Sequence, residues 1–132
     1  MNLPFKDIVA HAKACYPREC CGFVLADGRF LPIDNLAKGA DEYEMDPSQQ
    51  LKAEQAGEIA VIVHSHPEVG AYFSARDKAR ALFDPETPWF PGVQYLVVSI
   101  RNGRVDGAKL FTWNPVTKDF SGEETPEITG FD

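Results

Sequence analysis

The chain has no run of about 20 apolar residues, so nothing in it reads as a membrane-spanning helix. Its opening, Met-Asn-Leu-Pro-Phe-Lys-Asp, lacks the charged and apolar regions of a secretory signal. Cysteine is scarce: Cys15, Cys20 and Cys21 are an odd number with two adjacent, which gives no disulfide framework and points to a reducing cytoplasm. Basic charge is short as well, with 13 Lys and Arg against 20 Asp and Glu. No basic patch stands out, which argues against a nucleic-acid partner. The acids are uneven. Residues 119–132 hold Asp119, Glu123, Glu124, Glu127 and Asp132 with no Lys or Arg, so residues 1–118, with 15 acids against 13 bases, are close to neutral. We therefore expect one domain over 1–118 and a loose acidic tail over 119–132. There is no internal repeat, no low-complexity tract and no heptad from which an oligomeric state could be read.

Histidine is also rare, and two of the three fall in one short stretch, Val61-Ile-Val-His-Ser-His-Pro67. The run Ile59 to Val63 is β-branched and uncharged, as in a strand buried on both faces. Side chains alternate along a strand, so His64 and His66 point to one side. Pro67 has no amide hydrogen and marks where the ladder stops. Ser74-Ala75-Arg76-Asp77 then opens a helix. Two imidazole nitrogens and one carboxylate oxygen are zinc ligands of the right type, and three protein ligands leave a fourth position for water. A plainer reading stands beside this one: Ser74 and Asp77 are also a helix cap, and the histidines ordinary polar residues at a strand end.

Residues 4–16 form a helical stripe of Phe5, Ile8, Val9, Ala12, Cys15 and Tyr16, with His11 off the stripe and expected at the surface. Cys21 to Ala26 reads as a strand, Asp27-Gly28 as a turn and Arg29 to Asp34 as the returning strand. Cys20 and Cys21 read as small buried hydrophobes beside Gly22. Asp46-Pro47 starts a helix that Gly57 stops. The helix from Ser74 is expected to run through Ala79, Ala81 and Leu82 to Asp84-Pro85, and residues 84–92, with three prolines, to form an irregular loop where Trp89 and Phe90 either line a groove or plug the core. Gln94 to Ile100 and Arg104 to Trp113 read as a hairpin about Asn102-Gly103. Helix, hairpin, helix, strand, helix and hairpin in this order imply a mixed sheet covered by helices.

His64-Ser65-His66-Pro67, six residues, Ser74, two residues and Asp77 together resemble the signature of the JAMM (MPN-plus) zinc metallopeptidases, small prokaryotic type. Phe73 stands where that family usually has proline. Pro17-x-Glu19-x-Cys21-Gly22 looks like the segment that carries the family's glutamate, although by composition alone Glu19 is a solvated loop acid. The resemblance covers roughly residues 4–115. It implies an α/β fold, a three-layer α/β/α arrangement of cytidine-deaminase-like kind. It implies one zinc per chain held by His64, His66 and Asp77 with a water as fourth ligand, Glu19 as catalytic base and acid, and Ser74 as oxyanion donor. It also implies hydrolysis of an amide or isopeptide bond, at the C-terminus of a ubiquitin-like or sulfur-carrier protein in our preferred form. Small members are also associated with phage tail assembly. Two rival functions remain open: a zinc-loaded binding module that does not cut its partner, and a zinc deaminase, which the missing P-C-x-x-C and H-x-E signatures disfavour.

Overall fold

A computed structural model describes residues 2–132; Met1, the first residue of the expected domain, lies outside them. Helix α1 (Phe5–Cys15) precedes strands β1 (Cys21–Leu25) and β2 (Phe30–Ile33). Helix α2 (Pro47–Ala56), strand β3 (Ile59–Pro67) and helix α3 (Ala75–Ala81) come next. After a short ribbon of β4 (Leu82–Asp84) and β5 (Thr87–Pro88) come β6 (Gln94–Arg101), β7 (Arg104–Asn114), β8 (Asp119–Glu124) and a 3-10 helix (Pro126–Phe131).

The main sheet has the order β2-β1-β3-β6-β7-β8. Strands β3 and β6 are parallel, joined by a crossover that carries α3, and the other neighbours are antiparallel. Strand alternation sends Val61 and Val63 to one face, into a core with Ile8, Val9 and Ala12 of α1 and Ile128 of the 3-10 helix. Ile62 goes to the other face, into a second core with Ala53 of α2 and Ala81 of α3. Helices therefore cover both faces, and the three-layer α/β/α architecture with a mixed sheet is present. The β6–β7 turn has positive φ at both Asn102 (51°) and Gly103 (75°), the backbone of a two-residue hairpin whose twist suits the flanking strands.

The structure corrects four readings. Residues 119–132 are not a loose tail. Strand β8 pairs along β7 from Asn114↔Asp119 to Lys109↔Glu124, and Phe120 packs on Phe73, Tyr95 and Trp113. Ile128 is fully buried, and Asp132 accepts the Val105 amide at 3.0 Å while pairing with Lys13 at 3.2 Å and Arg104 at 3.0 Å. Acidic composition hid two apolar anchors, and the acids face solvent along an edge strand, where charge blunts unwanted pairing. His11 is not a free surface residue: it is half-buried, and its Nε2–H donates to the Cys21 carbonyl at 3.0 Å. Helix α3 stops at Ala81 because Leu82 is extended (φ −113°, ψ 135°), and Leu82 and Asp84 pair with Pro88 and Thr87. The proline-rich stretch is thus partly regular, since a two-stranded ribbon leaves an outer side where a missing amide costs nothing. On that ribbon Trp89 is exposed, edge-on to the exposed Phe83, while Phe90 packs against the second core.

Candidate metal centre

The buried strand β3 delivers His64 and His66 to the α2/α3 side of the sheet. His64 is fully buried, stacked at 4.8 Å on Tyr43 with Phe73 behind it. Its Nδ1 is the buried side-chain polar atom with no hydrogen-bond partner among the described residues, so on that side packing alone holds the ring. His66 is oriented differently. Its Nδ1 lies 3.1 Å from the Gly70 carbonyl, which can only accept, so Nδ1 carries the proton and the neutral ring's Nε2 is a bare lone pair.

Helix α3 brings in the carboxylate. Ser74 is its N-cap: Ser74 Oγ accepts the Asp77 amide at 3.0 Å, and Asp77 Oδ2 accepts the Ser74 amide at 3.0 Å. The cap reading of these two residues is therefore real, and the same box aims Asp77 at the histidines. Asp77 Oδ2 is 3.3 Å from His64 Nε2 and 3.3 Å from His66 Nε2, and the two nitrogens are 3.2 Å apart. Burial pushes the Asp77 carboxyl up, but hydrogen bonds from the two imidazoles overrule it and hold it well below the ordinary carboxylate range. Burial drives the His64 pKa down; burial is the largest single influence on His66 too, but there the hydrogen bonds to Asp77 and the Gly70 carbonyl and the nearby carboxylates together overrule it, and its pKa rises.

These three atoms form a nearly equilateral triangle. Ligands about 2.0–2.1 Å from a tetrahedral ion are about 3.3–3.4 Å from one another, so the triangle has the size of one face of a zinc site. When His66 is neutral, its Nε2 lone pair and the Asp77 oxygen face each other without a proton between them, a repulsion that a proton on Nε2 or a bound cation removes. The donor set fits a divalent ion.

Glu19 is next to this triangle, and buried. It offers an oxygen within 4.8 Å of a nitrogen of each histidine, so Glu19, His64 and His66 form an alternative trio of ligand atoms. We favour Asp77 over Glu19 as the third ligand, because Asp77 is at 3.3 Å from both nitrogens with its other contacts fixed by the capping box. Burial raises the Glu19 carboxyl to about 7. Its main chain is held by Asn35, whose Nδ2 donates to the Glu19 carbonyl at 3.0 Å. The next residue is held by Ser65: the Cys20 amide donates to Ser65 Oγ at 2.7 Å, and the Ser65 amide donates to the Cys20 carbonyl at 3.1 Å. Ser65, between two histidines on a strand, must point to the opposite face, so the alternation that found the histidines could have found this tie too. Tyr43 and the Gly70 carbonyl carried no comparable signal.

A cleft of about 380 Å³ opens over the centre, lined by Glu19, His66, Tyr72, Ser74, Asp77 and Arg80 among others. The cysteines take no part. Cys20 lies in the α1-side core, Cys21 Sγ donates to the Ile33 carbonyl at 3.4 Å, and burial pushes both thiols up to about 12.

A buried triangle of the size of a metal site on a mixed sheet, with a buried carboxylate beside it in the lining of a cleft, is an arrangement suited to a hydrolase of α/β fold. Comparison with known proteins places it more narrowly. Residues 5–112 match the model for prokaryotic homologs of the JAB domain, and the chain belongs to that family. It is 32% identical over 106 residues to CysO-cysteine peptidases of Mycobacterium bovis and Mycobacterium tuberculosis, covering 72% of this chain and 68% of theirs. It is 42% identical over 77 residues to tail tip assembly protein K of Escherichia phage N15, covering 55% of this chain but 32% of the phage protein, so it spans about a third of that relative. A Desulfitobacterium hafniense protein solved in solution superposes with a TM-score of 0.69 at 29% identity, covering 90% of this chain and 84% of that one. One from Salinibacter ruber shares the fold, with a TM-score of 0.59 at 24% identity and the same coverage.

Proposed function

We propose that this chain is a zinc-dependent peptidase that hydrolyses an amide or isopeptide bond at the C-terminus of a small ubiquitin-like or sulfur-carrier protein. The observation that carries the reading is the 3.2–3.3 Å triangle of His64 Nε2, His66 Nε2 and Asp77 Oδ2 with Glu19 beside it. The carrier as substrate is supported by the mycobacterial relatives, whose name is that of a peptidase acting on CysO-cysteine.

His64, His66 and Asp77 would hold the ion, and zinc bound there would supply a lowered water pKa and a polarised carbonyl. Glu19, near 7 by burial, takes a proton from the attacking water and returns it to the leaving amine. Ser74 Oγ already accepts from the Asp77 amide, which leaves its hydroxyl hydrogen free to point into the cleft toward the oxyanion. The balance is that of a hydrolysis: water adds across the C–N bond, giving a carboxylate and an amine. As a domain boundary we propose residues 2–132 as one unit, given the pairing of β8 and the burial of Ile128.

The test uses zinc content and cleavage together. About one zinc per chain is expected in the wild type, with a marked loss in Asp77→Ala. Glu19→Gln is expected to keep its zinc and lose roughly 10²–10⁴-fold in the cleavage of a linear carrier fusion, the range for removal of a general base. Full activity in Glu19→Gln overturns the base assignment. Zinc without cleavage of any carrier leaves a binding module, and ammonia release from nucleosides indicates a deaminase.

A further inference from the structure

The loop that leaves β3 is built around a residue with no place in the chemistry above. Glu68, directly after Pro67, has φ +66°, a left-handed backbone that a side chain other than glycine, asparagine or aspartate takes up at a cost. Its amide, its carbonyl and one carboxylate oxygen are all engaged. Its amide donates to the Ile100 carbonyl at 2.6 Å, and its own carbonyl accepts from Arg101 Nη1 at 3.2 Å. Its carboxylate Oε1 accepts the Asn102 amide at 3.0 Å and the Tyr16 hydroxyl. One exposed side chain thus ties together the end of α1, the β6–β7 turn and the exit of β3.

Residues 69–72, just beyond Glu68, are the part of the loop that meets the metal centre. Ser99 Oγ donates to the Val69 carbonyl at 2.5 Å, and the next carbonyl, Gly70, accepts both His66 Nδ1–H at 3.1 Å and the Tyr72 amide at 3.0 Å. The ring of Tyr72 then lies edge-on to His66 at 5.0 Å. The chain must reverse sharply after Pro67 for the Gly70 carbonyl to come back to a ring four residues earlier, and the left-handed Glu68 makes that reversal.

We infer that Glu68 is a positioning residue for His66. It clamps the loop against the β6–β7 turn so that the Gly70 carbonyl holds His66 Nδ1–H and turns Nε2 toward His64 and Asp77. This role rests on the metal reading of His66 only for its consequence, since the tautomer itself is a property of the metal-free chain. Partners of this kind on a metal-binding histidine typically change metal affinity by about 10–100-fold.

The test compares Glu68→Gly, Glu68→Gln and the wild type. Glycine relieves the left-handed backbone but removes the carboxylate, whereas glutamine keeps one side-chain acceptor for Asn102 and Tyr16. Three readouts are taken: the unfolding midpoint, the His66 ring ¹⁵N shifts of the metal-free protein, and zinc affinity by chelator competition. For Glu68→Gly we expect a midpoint near that of the wild type, His66 shifts moving toward a mixture of tautomers, and zinc affinity falling about 10-fold or more. Glu68→Gln is expected to restore most of both. Wild-type His66 shifts in Glu68→Gly overturn the proposal, as does a loss of stability with an unchanged tautomer. If no variant binds zinc, the metal reading fails, and the ¹⁵N shifts still decide the role of Glu68.

Discussion

Replacing Ser65 by alanine tests the way this fold couples its two halves. Ser65 is 1% exposed, and its Oγ is the acceptor for the Cys20 amide at 2.7 Å. Cys20 is fully buried, so no water reaches that amide once the hydroxyl is gone. Leaving a buried donor without a partner costs about 1–3 kcal/mol, more than the net worth of the bond itself. Taking about 2 kcal/mol, and roughly 3–5 °C per kcal/mol for a domain of this size, the midpoint should fall by roughly 6–10 °C. The assay is urea and thermal unfolding followed by circular dichroism, with Ser121→Ala on the exposed strand β8 as the control, expected within about 0.5 kcal/mol of wild type. A second effect is specific to the site. The lost tie is adjacent to Glu19, so kcat should fall while zinc content holds. A Ser65→Ala protein within about 0.5 kcal/mol of wild type means that the Cys20 amide has another acceptor, and the idea that Ser65 fastens the Glu19 segment to β3 is then wrong.

Ser74→Gly should separate the two roles of that residue: glycine is nearly as good at an N-cap, so stability falls by only a few tenths of a kcal/mol, roughly, while kcat drops about 10²–10³-fold. Gly22→Ala should destabilise by about 1–3 kcal/mol in urea unfolding, because a Cβ there meets the Leu31 carbonyl at 2.7 Å and the Phe30 ring at 2.6 Å, and the first of these is backbone. Asp132 gives a pH prediction. The Val105 amide and the Lys13 and Arg104 side chains hold its carboxyl down to about 2, below the ordinary 3.8. A depressed carboxyl contributes stability above its unfolded pKa and loses it as pH falls through the folded one. The difference in urea midpoint between wild type and Asp132→Asn should therefore be largest above about pH 4 and vanish toward about pH 2, and a difference that persists at the acid end refutes the assignment.

The sequence by itself determined the centre of this protein. A β-branched run ending in His-x-His-Pro puts two imidazoles on one side of a buried strand, because alternation is a local property of the backbone. A Ser-x-x-Asp cap aims its acid back at its own N-terminus, because that too is local. The element order, with a helical crossover before β6, was legible for the same reason.

What only the tertiary structure decided lies between segments distant in sequence. Composition made Glu19 a solvated acid; burial at the floor of the cleft, beside a strand that comes much later in the chain, raises it to about 7. Composition made residues 119–132 a loose tail; pairing with β7 and the seating of Ile128 fold them in. His11 off its stripe looked exposed until β1 placed a carbonyl within 3.0 Å of it. In each case the local signal was a charge or a ring facing outward. The energy that overrode it came from a partner that the chain brings near only once the sheet has formed.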